Sequence, residues 1–158
     1  AMPNLAAILG LGVTGWYWNK QLSFEQEQLI TTVFDSMGLT IKMRTEDGID
    51  RVTGAAGTMP GLCFHFSEIV YGSIKLILQD EVSEEDANAI ARQVIRGANV
   101  MVEKDGRSPG ELTQAVTSKN GTTERALNYL RNGKFAETFF GAVYAAYERS
   151  KEIGKELQ

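Results

Sequence analysis

Ser118, Gly121, Thr122 and Thr123 stand within A-V-T-S-K-N-G-T-T at residues 115–123, directly ahead of a helix-forming run, E-R-A-L-N-Y-L-R. Hydroxyls on both sides of a turn, beside the free N–H groups of a helix start, can take a carboxylate or a phosphate. The same residues have a plainer use, because Thr122 or Thr123 can cap the helix with its side-chain oxygen. Spacing alone leaves both uses open.

Other residue types able to do chemistry are sparse. The one cysteine, Cys63, excludes an internal disulfide framework, and the one histidine, His65, excludes a His-rich metal site, so no metal is expected. Both sit in the apolar run G-L-C-F-H-F-S at 61–67, which predicts buried core positions, since free Cys packs as a small hydrophobe. His65 could act as a general acid or base, but no partner for it is identifiable. The sixteen Lys and Arg are scattered and the net charge is −4, which argues against nucleic acid or an anionic membrane as the main partner. No apolar run reaches the roughly 20 residues of a membrane span and no signal-peptide pattern opens the chain, so the expected location is cytoplasmic. Ala1 ahead of Met2 reads either as a cloning remnant or as a sign of an internal piece of a longer protein.

These residues need elements to position them. Residues 11–18, L-G-V-T-G-W-Y-W, are β-branched and aromatic, which favours a strand. Ser23 and Gln26 read as a capping box for a helix to about Met37, ended by Gly38. The alternation in Leu39-Thr40-Ile41-Lys42-Met43 predicts a half-buried strand. Two strands are too few for a stable sheet, so this opening resembles the end of something larger. Residues 48–79 read as one helical segment apolar nearly all round, which requires cover from a second subunit. Gly54, Gly57, Pro60 and Gly61 predict a kink or break near 57–61, where small residues would also admit a ligand. Ser83 opens a helix to about Glu103, and Ser108-Pro109-Gly110-Glu111 opens a short one to about Ala115. The helix after the hydroxyl-rich turn closes at Asn132-Gly133. The last helix, from Ala136 to about Lys155, carries a core-type stripe of Phe139, Phe140, Val143, Ala146 and Tyr147.

In order along the chain stand M-P-N at 2–4, D-x-x-T at 50–53, a small-residue break around Gly57 and Pro60, and S-P-G-E-L at 108–112. They are followed by V-T-S-x-x-G-T-T at 116–123, G-x-F at 133–135 and E-R-S-K-E-I-G at 148–154. Together these resemble pyrroline-5-carboxylate reductase over essentially the whole chain, most strongly from Ser108 on. The resemblance implies a mainly α fold: a multi-helix dimerisation domain like the 6-phosphogluconate dehydrogenase C-terminal domain, preceded by a short β-α-β remnant of a Rossmann domain. It places the remnant at residues 1–45 and the helical dimerisation and substrate-binding domain at 46–158. No G-x-G-x-x-G precedes the M-P-N segment. The chain is therefore expected to lack the dinucleotide-binding motif, to hold no cofactor, and to be inactive in isolation.

The resemblance further implies reduction of the C=N bond of 1-pyrroline-5-carboxylate to L-proline, with hydride from NADP or NAD in its reduced form bound by the full-length protein. Carried over by position, Ser118, Gly121, Thr122 and Thr123 bind the substrate carboxylate, Thr123 is the catalytic residue near the imine nitrogen, and Asn4 lies on the nicotinamide side. The implied partners are the imine substrate and a second copy, joined through interleaved helices and open to higher assembly. Three departures stand out. A-G-T-M-P-G-L at 56–62 replaces the family's S-G-S-G-P-A-Y, so Ala56 loses a hydroxyl and Met59 adds bulk. Lys119 and Asn120 replace a turn-shaping Pro-Gly, and Lys119 either attracts an anion or stays solvated. M-P-N-L-A replaces M-P-N-T-P. The alternatives are a non-enzymatic helical dimerisation module on the same scaffold, or a reductase of a different small imine.

Overall fold

The chain begins with a three-stranded sheet in which the middle strand makes all the pairings. In the computed structural model, which describes residues 1–156, β1 (Met2–Pro3) lies antiparallel to β2 (Gly12–Trp16), and β2 lies parallel to β3 (Gly38–Lys42). A 3-10 turn, Leu5–Leu9, joins β1 to β2, and α1 (Phe24–Asp35) crosses from β2 to β3. The predicted strand–helix–strand is present, and β1 is an addition that two residues of sequence could not announce. Thr14 and Thr40 face each other across the parallel pair, and neither buried hydroxyl has a hydrogen-bond partner among the described residues.

Local signals placed α1 well. Ser23 Oγ accepts from Gln26 N–H and the Gln26 side chain accepts from Ser23 N–H, closing the predicted capping box. The helix stops at Asp35, two residues before the predicted Met37, because the chain must turn into β3. Gly38 makes that turn at φ +128°, where an added Cβ would lie 2.2 Å from Gly12 O. No other residue fits there.

Helix α2 (Asp47–Val52) passes through a π-helical turn, Thr53–Gly57, into α3 (Met59–Leu78). The predicted interruption is therefore real but starts four residues earlier than residues 57–61, and it widens the helix instead of breaking it. Its cause is crowding by the last helix, α7 (Phe135–Glu156): a Cβ on Gly54 would lie 2.6 Å from Tyr147 Cβ. Ser150 Oγ also donates to Asp50 Oδ1 at 2.7 Å, fixing α7 on α2.

The remaining elements are α4 (Glu84–Lys104), α5 (Pro109–Ala115) and α6 (Thr122–Asn132). Helices α4 and α5 start where the sequence indicated, α6 starts one or two residues earlier than a Thr122 or Thr123 cap would place it, and Ser108 and Glu111 form a full capping box. Helix α6 ends at Asn132 as expected, but the left-handed residue is Lys134 at φ +54°, not Gly133.

The chain divides into two compact units, one of residues 1–62 with 137 onward and one of residues 63–136. In the first, Trp16 and Val52 are buried; in the second, Ala87, Ala91 and Leu112 are. No residue of α3 is buried, and Phe64, Ile69, Leu76 and Ile77 are exposed. Cys63 and His65, expected in the core, are exposed as well, and His65 Nδ1 lies 3.2 Å from Glu68 Oε2 one helical turn on. The apolar run is there, but the described residues cover it only in part, leaving Leu62, Val70, Ile74 and Leu78 half-buried. The stretch Asp47–Glu81 is long and apolar enough to cross a membrane by length and composition, which the count of uninterrupted apolar residues had missed.

Candidate functional site

The start of α6 is held open by its own turn. Ser118 O accepts from Gly121 N–H at 3.0 Å, and Gly121 is the N-cap of α6 with extended backbone and no side-chain cap bond. Neither Thr122 nor Thr123 caps the helix, because the turn brings glycine to the capping position one residue earlier. The first intrahelical bond there, from Arg125 N–H, goes to Gly121 O. The N–H groups of Thr122, Thr123 and Glu124 are consequently left with no acceptor among the described residues, a cluster of donors at the positive end of the helix.

Three hydroxyls stand around these donors. Those of Ser118, Thr122 and Thr123 form no hydrogen bond among the described residues, while nearby Thr113 and Thr117 both donate to the carbonyl four residues back. Thr117 Oγ1, for example, is 2.6 Å from Thr113 O. Ser118 lies close against the helix start: a Cβ added to Gly121 would meet Ser118 Oγ at 2.3 Å. Thr123 is half-buried, Thr122 and Ser118 are exposed, and Lys119 is exposed without an ion pair among the described residues. Donor N–H groups and free hydroxyls in one place suit an anionic oxygen ligand.

Asn4 belongs to the other unit and is heavily used. Its Nδ2 donates to Ala56 O in the π-helical turn at 3.1 Å, and its Oδ1 accepts from Val13 N–H at 3.2 Å. Its backbone N–H also donates to Val13 O. One amide hydrogen is left for any ligand. The structure thus brings Ser118, Gly121, Thr122 and Thr123 together and gives Asn4 a bracing position that no local signal revealed.

Sequence reasoning also passed over a literal G-x-G-x-x-G at Gly10–Gly15. A dinucleotide fingerprint follows a strand and opens a helix. Here Gly10 ends the 3-10 turn at φ +69° and the other two glycines lie in β2. Added Cβ atoms would strike Ala7 N at 2.6 Å from Gly12 and Val52 Cγ1 at 2.5 Å from Gly15. These glycines serve packing. Nor do the connections from β2 to α1 or from β3 to α2 contain a glycine.

Comparison with known proteins identifies the family. The family described as pyrroline-5-carboxylate reductase dimerisation matches residues 46–153. The pyrroline-5-carboxylate reductase of Methanosarcina acetivorans is 32% identical over 155 residues, 98% of this chain and 56% of its own length. The solved pyrroline-5-carboxylate reductase of Coxiella burnetii is 31% identical with a TM-score of 0.84, covering 96% of this chain and 55% of that one. The Plasmodium falciparum pyrroline carboxylate reductase, solved with NADP bound, is 27% identical with a TM-score of 0.85, covering 97% and 61%. The chain spans a little over half the length of the curated relatives it matches. Its helical segment and its likeness from end to end agree: the chain belongs to the pyrroline-5-carboxylate reductase dimerisation family.

Proposed function

We propose that this chain is the substrate-binding and dimerisation part of a pyrroline-5-carboxylate reductase, reducing the C=N bond of 1-pyrroline-5-carboxylate to give L-proline. The observation that carries the reading is the open start of α6, where three N–H groups and three hydroxyls stand without partners among the described residues. The substrate carboxylate binds to the N–H groups of that first turn and to the hydroxyls of Ser118 and Thr122, over the Gly121 backbone. Thr123, half-buried beside them, hydrogen-bonds near the imine nitrogen. A protonated imine is already a good electrophile, so the main tasks are holding the ring in place and balancing its charge. NADP or NAD, in its reduced form, supplies the hydride. Its grip is assigned to the part of the reductase outside the span this chain shares with its relatives. Asn4, with one amide hydrogen uncommitted, is the candidate for the nicotinamide side.

The boundary between a nucleotide-domain remnant and the helical domain lies at residues 45/46, supported by the family match beginning at 46. The partner is a second copy whose long helices interleave with those of the first. The uncovered apolar surface of α3 supports this, as does the family's own description.

The test is a reductase assay on the parent protein with NADPH and 1-pyrroline-5-carboxylate. Thr123→Ala is expected to lower kcat/KM by roughly a hundredfold, the order associated with losing a charge-stabilising donor. Ser118→Ala is expected mainly to raise KM. Full activity in Thr123→Ala would sink the site, and a parent without turnover would favour a dimerisation module that has lost its chemistry.

A further inference from the structure

The turn that carries the carboxylate cradle lacks the residues that best shape it. With Ser118 O bonded to Gly121 N–H, Lys119 and Asn120 occupy the two central positions of a β-turn. Asn120 is left-handed at φ +60°. Such a second central position suits glycine, with proline favoured before it. Neither is present, yet the turn keeps its shape. Its clamp is Glu124, the third residue of α6, whose Oε2 accepts from Asn120 N–H at 2.7 Å. A carboxylate at this helical position ordinarily accepts from the N-cap N–H. Here that N–H, of Gly121, is already taken by Ser118 O, and Glu124 reaches one residue further back. The left-handed residue is thereby tied to the first turn of α6, which sets Ser118 against Gly121 at the helix start.

We propose that Glu124 is a positioning residue for the substrate-carboxylate cradle, doing for this chain what a Pro-Gly pair in the turn would otherwise do; this rests on reading Ser118–Thr123 as that cradle. A negative charge close to a carboxylate site works against the ligand. The gain from Glu124 is accordingly geometric: it holds the turn, and touches no substrate itself.

The experiment is a double-variant cycle on the parent reductase, reading KM for 1-pyrroline-5-carboxylate and kcat separately. Glu124→Ala is expected to raise KM roughly five- to tenfold, the order of one ordinary hydrogen bond, with kcat within about twofold. Glu124→Gln, which keeps an acceptor, stays near the unsubstituted enzyme. In a background carrying Lys119→Pro and Asn120→Gly, whose turn holds itself, Glu124→Ala loses its effect. An unchanged KM in Glu124→Ala overturns the proposal, and so does an equal rise in both backgrounds. Ser118→Ala and Thr123→Ala measured alongside separate the two ideas. If they leave KM and kcat untouched, the cradle itself is wrong; if they impair the enzyme while Glu124→Ala does not, only the role of Glu124 falls.

Discussion

Gly121 shows how much of the candidate site depends on the absence of a side chain. Its backbone is extended, so any residue could adopt it, but Ser118 Oγ occupies the space of a Cβ. Gly121→Ala should push Ser118 away from the helix start while leaving α6 formed. In the parent reductase we expect KM for the imine to rise on the order of tenfold with little change in circular dichroism, since small misplacements of a binding group are costly. An unchanged KM would mean that Ser118 does not act from where it stands. At this scale the sequence was a fair guide to which residues cluster: hydroxyls and a glycine before a helix are visible in one line of text. It could not say which residue caps the helix, because that depends on a turn shifting the boundary by one residue. It also hid the bond from Glu124 to Asn120, since a glutamate in a first helical turn has several ordinary uses.

Among the elements, local caps and long-range packing behaved differently. Ser23, Ser83 and Ser108 all cap the helices they were expected to cap, because those bonds span three residues. The Ser108 hydroxyl and N–H hold the Glu111 carboxyl below its ordinary value of 4.5. A lowered folded-state value means that the ionised form contributes stability above the unfolded value and that this is lost as pH falls through the folded one. Glu111→Gln should therefore reduce the loss in urea midpoint as pH falls below 4.5, and an unaltered loss would show that this cap does not couple to protonation. The π-helical turn was only half legible. Its small residues marked an interruption, but the cause, Tyr147 against Gly54, lies on a helix more than eighty residues away in the chain. Gly54→Ala is expected to lower stability by about 1–3 kcal/mol through overpacking, measured as a fall in thermal midpoint. A midpoint equal to that of the unsubstituted chain would mean that α7 shifts to make room.

For the molecule as a whole, the mismatch between composition and burial is the main observation. Hydrophobic residues make up 43% of the chain, yet few of the described ones are buried, and along α3 Phe64, Phe66, Ile69, Leu76 and Ile77 are exposed. An uncovered surface of this kind marks an interface. Light scattering on the chain is expected to give the mass of a dimer, and a well-behaved monomer would contradict the second-copy reading. The apolar surface of residues 48–79 was legible from their pattern, whereas the bracing role of Asn4 was not, its bond to Ala56 joining positions 52 residues apart. That brace bears on the order in which the chain assembles. Bringing ends together over so long a loop is entropically unfavourable until the intervening helix and strands exist. The Asn4 amide should then close late, after the transition state, so that its contribution falls on the rate of unfolding rather than of folding. It acts as a latch on a structure already built, keeping the sheet and the widened helix from drifting apart once they have met.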